Sequence, residues 1–139
     1  MTPVAMADPA PAAAHVGDTV ALLDRLVSFD TTSRNSNLAC IAFIKDYLAA
    51  HGVESRLIHD PTGTKANLYA TIGPEDVPGV ALSGHVDVVP VDGQDWSADP
   101  FRLHRAQGRL YGRGTSDMKG FVAACLAMVP EFQARALKR

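Results

Sequence analysis

The chain has 139 residues, 47% of them apolar and 20% charged, a make-up that fits one soluble globular domain and excludes a disordered or fibrous protein. A formal net charge of -2 and no cluster of Lys and Arg exclude a nucleic-acid or anionic-membrane surface, which needs a concentrated positive field. No apolar run approaches the roughly 18 residues of a membrane-spanning helix, so the expected partner is a small molecule and the expected location the cytoplasm.

Residues 1–16, "MTPVAMADPAPAAAHV", lack a basic start and are broken by Pro3, Pro9 and Pro11, which predicts a flexible tail rather than a secretory leader. From Asp18, a plausible N-cap, the spacing of Val20, Leu23, Leu26 and Val27 predicts a short amphipathic helix. The polar stretch "DTTSRNSN" is loop in composition. Ser36 or Asn37 then caps a second helix with Leu38, Ile41, Ile44, Tyr47 and Leu48 on one face, closed by His51-Gly52. "VESRLI" and "ANLYATIG", separated by "HDPTGTK", predict two antiparallel strands.

"VALSGHVDVV", residues 80–89, is apolar enough to predict a third, central strand, followed by an irregular excursion from Pro90 to about Gly108. A short strand at Arg109 to Gly112, a glycine-flanked turn and a helix with Met118, Phe121, Val122, Cys125 and Met128 at helical spacing come next. Pro130 kinks or breaks that helix, and "EFQARALKR" is expected as a basic helical tail. Helices before and after a buried sheet define an α/β layer architecture. Cys40 and Cys125 lie in apolar helical patterns with no CxxC spacing, which predicts buried free thiols and a reducing compartment.

Side chains two apart on a strand share a face, so His85 and Asp87 emerge side by side where the apolar run ends. Such a pair suits a metal, with one ring nitrogen as ligand and the other held by the carboxylate; it equally suits a satisfied polar pair at a strand terminus. Asp117 opens the same choice. It is placed as an N-cap or first-turn anion, and the glycines Gly112 and Gly114 also allow a close approach in which its two oxygens bridge two cations.

His104 reads as a solvated loop residue, His51 and His59 as helix-end and turn residues, and His15 as part of the tail. Trp96, Pro100 and Phe101 are expected to anchor the excursion by packing. No GxSxG elbow, phosphate-binding loop, GxGxxG or cysteine beside a histidine supports nucleophilic or nucleotide chemistry.

Together "SGHVDVVPVDGQDW", "DPF" and "GRLYGRGTSDMKG" resemble the motif set of the co-catalytic zinc amidohydrolase and metallopeptidase family that includes acetylornithine deacetylase, succinyl-diaminopimelate desuccinylase and glutamate carboxypeptidase. "TSRNSNL", "HGVESRLI", "KANLYATIGP" and "VDGQDW" resemble its acetylornithine deacetylase branch most, from about Gly17 to the chain end. The resemblance implies a zinc-peptidase-like catalytic domain with a central mixed sheet flanked by helices. It implies His85 as a zinc ligand, Asp117 as the carboxylate bridging two zinc ions (cobalt being an alternative), and Asp87 as the catalytic aspartate that orients His85. The implied reaction removes the acetyl group from N-acetyl-L-ornithine, a step towards arginine, with desuccinylase or dipeptidase action as siblings and a homodimer as the complete enzyme.

The family's adjacent glutamates, one the general base and one a ligand, have no counterpart, because the 139 residues contain no Glu-Glu pair. Residues 17–139 are therefore expected to be the N-terminal portion of the catalytic domain, without the dimerisation domain and the C-terminal catalytic part, nearly inactive alone and with apolar faces uncovered. A non-enzymatic fragment that pairs with a complementary piece is the alternative.

Overall fold

In a computed structural model, which describes residues 12–135 and 137, four helices and two small antiparallel ladders make an α/β arrangement. Helix α1 (Ala12–Val27) presents Leu22, Leu23, Leu26 and Val27 to the core, the last two fully buried. The helix begins earlier than Asp18, which sits inside it rather than at its cap. Of the expected tail, residues 1–11 lie outside the described residues, and 12–16 already belong to α1, because alanine sustains helix without any apolar periodicity.

Helix α2 (Leu38–Ala50) buries Cys40, Ile41, Ile44 and Leu48. Of the two expected caps, the Ser36 hydroxyl oxygen accepts the Leu38 N–H at 3.2 Å. Asn37 instead bonds both backbone groups of Ala66 at 3.0 Å, tying the start of α2 to the neighbouring strand. At the other end Gly52, at φ 73°, lets its own N–H reach Ala49 O and the Val53 N–H reach Leu48 O, a Schellman closure.

Strands β1 (Ser55–His59) and β2 (Ala66–Ala70) pair antiparallel, Leu57 opposite Leu68, as their alternation predicts. Strand β3 (His104–Ala106), which lies in what reads as irregular excursion, pairs with β4 (Arg109–Tyr111), the expected short strand, as a second hairpin. Its two-residue turn, Gln107-Gly108, has both φ values positive, at 52° and 71°, the geometry that matches the twist of the flanking strands. His104 is thus a strand residue facing the Tyr111 ring, and no loop residue.

A single wide turn (Thr115–Lys119) leads into helix α3 (Gly120–Ala127), which packs on α1 through Ala123, Leu126 and Ala127. Helix α4 (Val129–Ala134) follows after a break at Met128, with Pro130 in its first turn, where a missing N–H costs no hydrogen bond. It stops at Ala134, so the expected helical tail does not continue through Arg135; Ala136, Lys138 and Arg139 lie outside the described residues.

The run 80–89 departs most from expectation. It is not a central strand: its one backbone pairing is a parallel bridge between Val88 and Thr32, made by Val88 N–H to Thr31 O at 3.1 Å and Ser33 N–H to Val88 O at 3.0 Å. A strand exists only through neighbouring backbones, and among the described residues no other backbone lies alongside it. Val80 and Leu82 accordingly remain 88% and 54% exposed. Cys40 and Cys125 are free thiols, with burial pushing Cys40 up to about 11. Among the described residues no helix is long and apolar enough to cross a membrane.

Candidate metal centre

The site begins with an alternation. Val86 and Val88 point into the protein, 8% and 4% exposed, and therefore His85 and Asp87 project outward. The segment is held there by the loop after α1: the buried Thr31 hydroxyl donates to Val86 O at 2.5 Å, and the Val88 bridge lies next to it. Asp30 shapes that loop by accepting the Thr32 hydroxyl at 2.6 Å, the Thr32 N–H at 3.0 Å and the Asn35 amide at 3.0 Å. Led by the Thr32 hydroxyl, these bonds hold the Asp30 carboxyl below the usual carboxylate range.

Both ring nitrogens of His85 face acceptors. Nδ1 lies 3.0 Å from Asp87 O and 3.3 Å from Asp87 Oδ1, while Nε2 lies 3.0 Å from Asp117 Oδ1. Asp87 is steadied in turn by the Ser33 hydroxyl, which donates to Oδ2 at 3.0 Å. Burial works to lower the His85 pKa, but the Asp87 carbonyl and the Asp117 carboxylate outweigh it, so the net shift is upward. With an acceptor at each ring nitrogen, the surroundings of His85 favour a positive charge, whether a second ring proton or a cation at Nε2.

Asp117 reaches His85 because of the glycines before it. Gly114 has φ 86°, and a Cβ there would lie 2.7 Å from a Val88 methyl, so only glycine lets this turn close on the His85 segment. Backbone bonds from Lys119 N–H to Gly114 O at 2.8 Å and from Thr115 N–H to Gly112 O at 3.3 Å close the turn. Among the described residues no side chain caps α3, and the Asp117 carboxylate bonds His85, so Asp117 is no N-cap, although it does lie in the first turn of the Thr115–Lys119 segment that leads into the helix. Its side chain is 86% exposed.

The remaining sequence candidates lie elsewhere. His51 Nδ1 meets Tyr47 O at 2.8 Å at the end of α2, and His59 ends β1. Trp96 does more than pack: its indole N–H donates to Gln94 Oε1 at 3.1 Å, the same oxygen takes a hydrogen bond from Arg113, and the Arg113 guanidinium lies 5.2 Å from the Trp96 ring. Pro100 O accepts the Arg113 N–H at 2.7 Å, which ties the excursion to the turn before Asp117. Ser33 was not legible as a site residue; its only sequence signal is its place in a polar loop, and the bond to Asp87 spans 54 positions.

The donor chemistry suits a divalent metal. Two neighbouring ligands on tetrahedral zinc, at about 2.0–2.2 Å each, stand about 3.3–3.5 Å apart. The 3.0 Å between His85 Nε2 and Asp117 Oδ1 is a hydrogen-bond separation, a few tenths of an ångström short of such an edge, so the two donors lie side by side without yet having ligand spacing. A full shell takes about four ligands. Among the described residues no group of three or more His, Cys, Asp or Glu could hold an ion, so these two donors supply an edge and not the whole.

Comparison with known proteins gives the same direction. Residues 81–139 match the family model of Peptidase family M20/M25/M40. The chain is 38% identical over 124 residues to a probable succinyl-diaminopimelate desuccinylase of Staphylococcus epidermidis, covering 88% of this chain and 30% of that protein. It is 41% identical over 113 residues to succinyl-diaminopimelate desuccinylase of Rickettsia bellii, covering 79% and 28%. To acetylornithine deacetylase of Pasteurella multocida it is 38% identical over 105 residues, covering 75% and 27%. The fold superposes on human carnosine dipeptidase 1 with a TM-score of 0.70 at 29% identity, covering 86% of this chain and 29% of that one. The chain thus spans less than a third of the length of the relatives it matches.

Proposed function

From the match of residues 81–139 to the family model of Peptidase family M20/M25/M40, we propose that this chain supplies one side of a metal-dependent amide-hydrolase centre acting on an N-acyl amino acid. The observation that carries the reading is the His85 ring, proton-held at Nδ1 by Asp87 and turned so that Nε2 stands 3.0 Å from Asp117 Oδ1. Zinc, when bound, supplies Lewis acidity toward the amide carbonyl and toward water.

The chain's own residues prepare that chemistry. Asp87 keeps the Nδ1 proton in place, which leaves the Nε2 lone pair for the metal and raises its basicity. Asp117 offers one oxygen beside Nε2 and a second, exposed, oxygen for a further cation. Ser33 fixes the Asp87 carboxylate, so the ring orientation is set from the loop after α1. Hydrolysis adds water across the C–N bond and yields a carboxylate and an amine. The general base is no residue of the pair described, and the chain holds no Glu-Glu pair to supply one. Residues 17–139 are on this reading the N-terminal portion of a catalytic domain, completed by further ligands. A cytoplasmic setting suits the two free thiols, and the complete enzyme is a homodimer on the same resemblance.

Two acyl groups are in contention. The motif wording of "VDGQDW" and "TSRNSNL" favours N-acetyl-L-ornithine, giving acetate and ornithine; relatives named succinyl-diaminopimelate desuccinylase, at 38% and 41% identity, favour an N-succinyl amino acid. A chimera decides. Residues 17–139 replace the matched segment of the Staphylococcus epidermidis relative, and amine release is measured from acetylornithine, succinyl-diaminopimelate and a dipeptide with zinc present. An active chimera that loses at least a thousandfold on His85→Ala supports the reading; unchanged turnover in that variant sinks it.

A further inference from the structure

Lys119 is 0% exposed, two residues beyond Asp117. Among the described residues its ammonium meets no carboxylate within ion-pair distance. It donates to Leu26 O and to Phe29 O, both at 2.9 Å, at the C-terminal end of α1. Lysine is almost never fully buried unless its charge is met, and here the negative end of the α1 dipole and two carbonyls meet it. The nearby Cys40 offers no thiolate at neutral pH, since burial raises it to about 11. An apolar side chain of the same length would fill the space, but the two hydrogen bonds from the turn to the end of α1 would be lost.

The loop that receives Lys119 also holds the other half of the site. Phe29 O accepts the Thr31 N–H at 2.9 Å; the Thr31 hydroxyl donates to Val86 O, and Thr31 O accepts the Val88 N–H. Ser33, two residues on, bonds Asp87. The path from Asp117 through Lys119, Phe29, Thr31 and Val86 to His85 is closed by the His85–Asp117 contact. We infer that Lys119 is a positioning residue: its buried ammonium locks the Asp117 turn to the same loop that carries His85, and so sets the spacing of the two metal donors. The inference rests on the metal reading proposed above for what the spacing serves, but the spacing itself is measured without metal.

The test is Lys119→Met, followed by the His85 ring nitrogens in NMR spectra at fixed pH with metal excluded. Asp117→Asn marks where the Nε2 signal falls once its partner is weakened. Lys119→Met is expected to shift the signal to that position, while Leu126→Ala, which loosens the same α1–α3 core away from the site, leaves it where the unsubstituted chain has it. A Lys119→Met spectrum identical to the unsubstituted one overturns the inference, and so does an equal shift in Leu126→Ala. If Lys119→Met does not fold, the unsubstituted chain is taken through a guanidinium titration. Protection of the Lys119 ammonium protons and the His85 Nε2 signal are expected to disappear together; a His85 signal that outlasts the protection overturns the inference. Absence of zinc binding by the unsubstituted chain would count against the metal reading alone.

Discussion

The apolar run 80–89 divides into two halves that sequence composition does not distinguish. Val80 and Leu82 are exposed and, among the described residues, without a backbone partner, whereas Val86 and Val88, each six residues on, are buried and bonded to Thr31 and Ser33. The difference is the loop after α1, which gives the second half a backbone partner and a floor. Hydrophobicity makes a segment able to be a strand; the neighbour decides whether it is one. The two ionisable side chains belong to the anchored half, so they face solvent from a rigid base, the condition a ligand set needs.

The largest effect is expected where the turn meets that base. Gly114→Val puts a Cβ at 2.7 Å from a Val88 methyl on a backbone at φ 86°, and should cost at least about 3 kcal/mol. Denaturant unfolding measures it; a loss within experimental error would mean that the two pieces are not in contact. Next, Val88→Ala removes buried methyl groups and is expected to cost about 2 kcal/mol, while Val80→Ala stays within about 0.5 kcal/mol. Equal costs would erase the distinction between the halves. Thr31→Val keeps the shape but leaves Val86 O without its hydroxyl donor, a loss of about 1–2 kcal/mol seen as a lower melting temperature.

The smallest effect is in pH. The Asp30 carboxyl, held low chiefly by the Thr32 hydroxyl, favours the folded state when ionised. Its contribution is therefore complete above its unfolded value near 3.8 and fades as pH falls through the lower folded value. Asp30→Asn keeps the oxygen that receives Thr32 and should flatten this acid limb, by on the order of 1 kcal/mol or less because the group faces solvent. An acid limb of unchanged slope would remove Asp30 from the account.

Much of this was legible in the sequence wherever a periodicity was complete within the segment. Helix α2 carries its stripe and its closing Gly52, and β1 and β2 carry their alternation and a turn with Gly63 at φ 69°. The start of α1 was not, because "AAA" has no periodicity to read. Strand β3 was not, because His104, Arg105 and Ala106 do not alternate and only the paired backbone of β4 makes them a strand. In the site, His85 and Asp87 stand together by strand spacing alone, and glycines around Arg113 signal the close approach of Asp117. Ser33 and Lys119 gave no such signal. Their partners lie 54 and about 90 positions away, and a lysine beside an aspartate reads locally as a solvated pair.

The central claim is that the anchored half holds His85 and Asp117 as neighbouring ligands of one metal. Titration of the chain with Zn2+, followed by the His85 ring nitrogens, tests it most directly. The account predicts that the Nε2 signal moves on zinc addition while Nδ1 keeps its proton, that Asp117→Ala weakens this response at least tenfold, and that Val80→Ala leaves it unchanged. A His85 ring that ignores zinc, or a response indifferent to Asp117→Ala, would contradict it.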